Sequence, residues 1–267
     1  MNLEYFDNQK VLHLVEEYFQ LSFYEEDTPF TSTILPIGLT HLFYIGTGTQ
    51  KVVIDNIEMP LSGLMVTGQY FRSYKFFTNS ITSTIGISLQ PTALHKLLNI
   101  DISKLENRHV PLIQISEAYH NKLLPIFEDS KNPNELINKL NSFFLNASLN
   151  IDKNTKQIDH VISIIKEKDG LLNVLDLIDE ISISQKTLET QFKRIVGLTP
   201  GKYIRLYRFL KLMRKYESNE IDLKDLIYMY NYYDHSHFTK DFKHFMKQSP
   251  KDYFKTEHAF LTEYLNK

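Results

Sequence analysis

Two rhythms of apolar and polar positions divide this chain. As far as about residue 90 the apolar residues come in short runs rich in β-branched and aromatic side chains: VEEYFQLSFY, FTSTILPI, LTHLFYIGTG, KVVIDNIEM, GLMVTGQY, YKFFTN and ITSTIGISLQP, each broken by Gly, Pro, Asn or Asp. Runs of this kind predict strands, and their close spacing predicts an antiparallel sandwich or barrel. From Pro91 the rhythm turns helical, with Pro91 suited to a first helical position in PTALHKLLNI. ISEAYHNKLLPIFED and PNELINKLNSFFLNAS continue it, and the polar, turn-forming NIDKNT marks the expected boundary between domains at 1–150 and 151–267. Beyond it TKQIDHVISIIKEK sets Ile158, Ile162 and Ile165 on one face and closes at Asp169-Gly170. NVLDLIDEI, ISQKTLETQFKRIVG, TPGKYIRLYRFLKLMRKYE, LKDLIYMY, HSHFTKDFKHFMK and PKDYFKTEHAF keep the helical period, so the second part is expected to be all-helical.

That helical part repeats itself. Sliding the chain by 50 residues lays SQKTLETQFKRIVGLTPGKY, residues 184–203, on DHSHFTKDFKHFMKQSPKDY, residues 234–253. Leu188 meets Phe238, Phe192 meets Phe242, Lys193 meets Lys243, Thr199 meets Ser249, Pro200 meets Pro250 and Tyr203 meets Tyr253. A short apolar helix, VLDLIDEI or LKDLIYMY, precedes each copy. A short helix, a tight turn and a second helix is the helix-turn-helix arrangement, whose second helix can enter a DNA major groove. Leu188, Phe192 and Ile195 form an i, i+4, i+7 stripe suited to burial, as do Phe238, Phe242 and Phe245. Opposite them lie Gln185, Lys186, Glu189, Thr190 and Lys193 in one copy, and His235, Ser236, Thr239, Lys240 and Lys243 in the other, the mixture of hydrogen-bonding and cationic groups that base edges and phosphates require. One such helix alone would more often be the solvated face of a bundle; duplication at fixed spacing, across a basic joining helix, argues for two reading helices. To meet successive major grooves on one face of the duplex they need a separation of about 34 Å.

Charge sharpens the division. The net charge of −2 hides 10 Lys+Arg against 15 Asp+Glu in residues 1–150, and 20 against 17 in the remainder. Between Ser184 and Lys215 nine basic residues face one acid, Glu189, which suggests a polyanionic partner, although a solvated helix face is the commoner origin of a charge run. The chain has no cysteine, which excludes disulfides, thiolate metal sites and cysteine nucleophiles. The N-terminal MNLEYFDNQKVLHLVEEYF is acidic where a signal peptide is basic, and no apolar stretch approaches the roughly 18 residues of a membrane span. A cytoplasmic protein with no membrane partner is expected.

The region from about Lys156 to Phe254 resembles the DNA-binding domain of the AraC/XylS family of bacterial transcription regulators, and YYDHSHFTKDFKHFMKQSPKDYF carries its most diagnostic element, the second recognition helix followed by a Ser/Thr-Pro turn. The first part, on LPIGLTHLFYIGTG, GLMVTGQY and TIGISLQPTALHKLLNI, resembles a cupin-like sensor domain found in many members. The resemblance implies an α+β protein: an N-terminal antiparallel β-barrel with flanking helices, then an all-α domain with two helix-turn-helix units. It implies double-stranded operator DNA as partner, a small-molecule effector in the first domain, and compatibility with RNA polymerase contacts; the helices between residues 116 and 149 are a candidate homodimer surface, although their pattern suits a core equally. With no cysteine and one strand histidine, no cofactor and no metal are expected. Carried over by motif, base-facing positions fall on Lys186, Glu189 and Thr190 in the first unit and on His235, Ser236, His237 and Lys240 in the second. Lys193, Arg194 and Lys243 fall on phosphate-facing positions. His237 is equally suited to packing in the turn. Asn231 and Lys247 stand where the family usually has glycines; Asn tolerates φ > 0, whereas Lys247 must avoid the left-handed region or accept strain.

Rival functions rest on weaker features. A metal-dependent cupin enzyme needs several converging histidines and a carboxylate, and the strands offer only His41, with His95 already in a helix. A DNA-repair alkyl transferase needs a cysteine acceptor. A non-specific or architectural binder needs exposed aromatic platforms, whereas these phenylalanines sit at core spacing. No effector pocket is assigned: Phe43, Tyr44, Phe71 and Tyr74 are candidate lining, although plain core is the commoner role of such aromatics.

Overall fold

The computed structural model describes residues 1–181, 183–218, 221–255 and 258–265. Its first part is one antiparallel sheet of eight strands: β1 (Asn2–Phe6), β2 (Val15–Phe23), β3 (Phe30–Ile34), β4 (Thr40–Ile54), β5 (Ile57–Thr67), β6 (Tyr74–Thr78), β7 (Thr82–Leu89) and β8 (His109–Pro111). The main path runs β1-β2-β7-β4-β5-β8, while β3 pairs with β6 and β6 with β4. The runs LTHLFYIGTG and KVVIDNIEM do not make one strand each: the first joins the KVVI of the second in the single long β4, the chain turns at Asp55-Asn56, and IEM opens β5; the β4–β5 register breaks between Ile45 and Gln50. Before the break β4 pairs with β7 and after it with β6, so one strand serves two leaves of the sheet. Gly48 sits in the break at φ +78°, and a Cβ there would approach the Ile81 carbonyl oxygen to 2.5 Å. A bulge of this kind bends a strand and folds its sheet over.

The expected barrel does not close. Among the described residues β1 and β8 end the path as edges with no ladder between them. β8 runs for three residues and stops at Pro111, which has no N–H to extend a ladder, and the chain turns into helix there. Helices then cover one face of the sheet: α1 (Ala93–Leu98), α2 (Leu112–Ile115), α3 (Glu117–Glu128) and α4 (Pro133–Leu145). Helix α1 begins two residues after Pro91, which precedes the helix instead of starting it. The period-2 alternation divides the strands between two cores. Tyr18, Leu42, Val66 and Ile87 pack with Leu123, Phe127, Leu140 and Phe144 of the helices; Leu21, Phe23, Phe43, Ile45, Val52 and Phe76 point inward between the leaves.

The second part is helical as expected: α5 (Lys153–Glu167), α6 (Val174–Glu180), α7 (Gln185–Val196), α8 (Pro200–Glu217), α9 (Leu223–Met229), α10 (His235–Met246), α11 (Pro250–Tyr253) and α12 (Ala259–Leu265). The run PKDYFKTEHAF is two helices, α11 and the start of α12, not one. No helix among the described residues is long and apolar enough to cross a membrane. The helical core reaches across to the sheet, since Leu35 and Phe71 are buried with Phe192, Phe209, Phe245 and their neighbours.

Candidate nucleic-acid interface

The 50-residue repeat is written into the caps. Ser184 and Asp234 are the N-caps of α7 and α10, accepting from the Thr187 and His237 amides at 3.3 and 2.7 Å. Thr199 and Ser249 cap α8 and α11, each followed by proline at the first helical position. Side chains that accept from N3 and a proline with no amide to satisfy fix where each helix starts. Each recognition helix ends in a left-handed residue, Gly197 at φ +100° and Lys247 at φ +58°. Asn231 is left-handed too, at φ +54°, so the turn of the second unit has the geometry usual for glycine without glycine, and Lys247 accepts the strain.

The apolar stripes are buried: Leu188, Phe192, Phe238, Phe242 and Phe245 are fully enclosed and Ile195 nearly so. On the opposite sides Lys186, Thr190, Lys193 and Arg194 of α7 and His235, Ser236, Lys240 and Lys243 of α10 are exposed. Glu189 is half-buried and accepts from the Gln185 amide nitrogen at 2.8 Å, and the Thr190 hydroxyl donates to the Lys186 carbonyl at 2.8 Å. His237 is half-buried with its ring edge-on to Tyr232 at 5.1 Å, and its Nδ1 accepts from the Tyr233 amide at 3.4 Å.

Sequence reasoning missed three residues here. Asp241, in the middle of α10, is buried; its carboxylate accepts from the Arg205 guanidinium of α8 and from the Tyr232 hydroxyl. Its counterpart 50 positions earlier, Gln191, has its Oε1 enclosed with no partner among the described residues. The signal for Asp241 was a lone acid beside the apolar stripe of a basic helix. Tyr233, 88% exposed at the entrance to α10, is the third.

The C-terminal ends of both helices rest on the first part of the chain. Gly197 lies where an added Cβ would meet Ile102 Cγ2 at 2.9 Å. The Ser73 amide donates to the Phe245 carbonyl at 2.6 Å, and the Phe71 ring meets Phe245 edge-on at 5.2 Å. Lys202 of α8 pairs with Glu106 at 2.7 Å and Lys96 of α1 with Asp159 of α5 at 2.8 Å.

Between the leaves of the sheet lies a cavity of about 150 Å³. Phe43 and Tyr74 line it, as do His41 and His109. The other two candidate aromatics do not: Tyr44 faces the helices and packs on Phe127 at 5.4 Å, and Phe71 belongs to the helical core. His109 was missed because it lies beyond the residues read as β-rich, on the short edge strand β8. Tyr70 Oη and His109 Nδ1 are 2.6 Å apart, and His41 Nδ1 lies 3.2 Å from Thr67 Oγ1. Burial pushes His41 down to about 4, and burial with the neighbouring His41 pushes His109 down to about 3. His41 keeps some accessible surface although protein surrounds it, and that surface faces the cavity. His95, in α1, has its Nδ1 2.6 Å from the Ile100 carbonyl.

Residues 177–256 match a family described as a helix-turn-helix domain, and residues 4–111 match a domain of unknown function (DUF6597). The Escherichia coli transcriptional activator RhaS is 31% identical over 83 residues, which are 31% of this chain and 30% of that protein. The match thus spans under a third of the length of these curated relatives. Among solved structures, ToxT of Vibrio cholerae superposes with a TM-score of 0.48 at 13% identity over 90% of this chain and 96% of its own. The AraC-like transcriptional activator CuxR gives 0.26 at 15% over 73% of each chain.

Proposed function

We propose that the chain, by its two-unit helix-turn-helix domain, is an AraC/XylS-type regulator: a sequence-specific DNA-binding transcription regulator of the cytoplasm and not an enzyme. One observation carries this: two copies of a capped helix bury matching apolar stripes and leave matching polar faces open. In this reading Lys186, Glu189 and Thr190 of α7, and His235, Ser236, His237 and Lys240 of α10, meet base edges. Lysine can donate to guanine O6 or N7, and a carboxylate can accept from cytosine N4. Lys193, Arg194 and Lys243 meet phosphates, holding register without reading sequence.

The chain divides functionally near residue 150. The first part senses a small molecule, and the second binds the operator, with RNA polymerase contacts and homodimer formation belonging to the same reading. The histidine-lined cavity is the effector site. An effector acts by binding two states of the protein unequally, typically with about 1–3 kcal/mol of coupling.

Selection of bound sequences from random duplex DNA, with the full chain at a stated salt concentration, tests the reading. A motif with information in two segments about one helical turn apart supports it. Enrichment without any sequence preference, from folded protein, would leave an architectural binder instead.

A further inference from the structure

One wall of the cavity comes from the far end of the chain. Phe260, Leu261 and Tyr264 of α12 line it together with strand residues; Phe260 packs on the core between the leaves, and Leu261 is almost fully buried in the helical core. The sheet alone therefore does not enclose this space. The same helix is tied to α8: the Thr262 hydroxyl donates to Glu217 at 3.1 Å, and the Arg214 guanidinium lies over the Tyr264 ring at 5.9 Å. Helix α8 joins the two helix-turn-helix units. Just before α12, His258 stacks on Tyr253, which follows the second recognition helix, at 4.0 Å.

The lining also restricts the occupant. It contains no lysine or arginine, and its histidines are held neutral by burial. Its one carboxylate, Glu17, accepts from the Ser88 hydroxyl at 2.9 Å. An anion would meet no cation in the lining itself and would lose its hydration, a cost that buried charges avoid only by pairing. The Nε2 atoms of His41 and His109 have no hydrogen-bond partner among the described residues, so one or two polar groups on a ligand can be met. An apolar cavity of about 150 Å³ is the size that holds a benzene ring.

We propose that the cavity takes an uncharged molecule about the size of one aromatic ring carrying a hydroxyl or similar polar group, and that α12 is its cover, seated more firmly when the cavity is filled and reporting this to α8. The proposal rests on the reading of the cavity as the effector site. A ligand touching Phe260, Leu261 and Tyr264 stabilises only the state in which α12 is down, which is the differential interaction that a population shift requires.

The test uses the full chain, whose lack of cysteine allows one label. A nitroxide on Glu263→Cys, an exposed position of α12, reports motion by electron paramagnetic resonance. Fluorine relaxation reports binding of 4-fluorophenol, 4-fluorobenzoate and 4-fluorobenzylamine at neutral pH. Expected is binding of 4-fluorophenol alone, slower nitroxide motion at saturation, and loss of both in Leu61→Phe, which fills the cavity, with Val52→Phe as a second filling variant. The proposal is overturned by an absence of 4-fluorophenol binding, by equal binding of an ionised probe, by binding that survives both fillings, or by binding that leaves the nitroxide unchanged or faster. No DNA is present, so failure of the DNA-binding reading would be seen in the sequence selection and not here.

Discussion

The Asp241 carboxylate of α10, 2% exposed, is held by the Arg205 guanidinium of α8, which is 45% exposed. This asymmetry decides what each substitution does. Arg205→Met strands a buried carboxylate with only Tyr232 beside it and should cost about 3 kcal/mol or more. Asp241→Ala leaves a guanidinium that water can reach, and should cost about 1–2 kcal/mol. Urea unfolding of the two variants gives the order, and equal losses would mean that the pair does not fix α10 on α8.

Lys240 and Lys243 lie three positions apart on the exposed side of α10 with different expected partners. Lys240→Ala should cost about 1–3 kcal/mol on the preferred operator and relax preference at one base pair. Lys243→Ala should weaken all sequences alike and reduce the salt slope by about one. Titrations of matched and mismatched duplexes at several salt concentrations separate the two patterns.

Much of this was legible in the chain, for reasons that particular residues make plain. Cap, apolar stripe and proline turn are local features, so the repeat from Ser184 to Tyr203 and again from Asp234 to Tyr253 revealed both recognition helices. The open sheet was not legible, because closure depends on how the edge strands β1 and β8 lie in space. The cavity was half legible: Phe43 and Tyr74 alternate inward as expected, whereas Tyr44 has the opposite parity and Phe71 is claimed by Phe245, 174 positions later in the chain. The part played by α12 could not be read locally, because Phe260 packs against strand residues more than 170 positions before it.

The left-handed helix ends offer opposite substitutions. Gly197→Ala places a Cβ at φ +100° and 2.9 Å from Ile102 Cγ2, and should destabilise by about 1–2 kcal/mol. Lys247→Gly relieves a strained lysine whose ammonium is only 3.5 Å from exposed Asp55, and should stabilise by about 0.5–1 kcal/mol. Thermal unfolding of both gives the signs.

Acid should weaken the protein before its carboxylates titrate. The folded pKa values of His41 and His109 lie below the ordinary 6.5, so the unfolded chain binds protons that the folded chain refuses. The stability they confer is complete above 6.5 and falls with pH, by up to about 1.4 kcal/mol per histidine per unit, down towards their folded values. Stability between about pH 6.5 and 5 should therefore fall more steeply for the natural chain than for His41→Gln/His109→Gln. Parallel slopes would mean that these rings are not enclosed in solution.

The most direct measurement of the central claim is guanine-N7 methylation interference on the selected operator, comparing the full chain with Lys186→Ala and Lys240→Ala. Two major-groove segments on one face of the duplex, about 10 base pairs apart, should show interference, and each variant should lose it in one segment only. A single segment, or two segments that both variants weaken equally, would contradict the assignment of α7 and α10 to separate grooves.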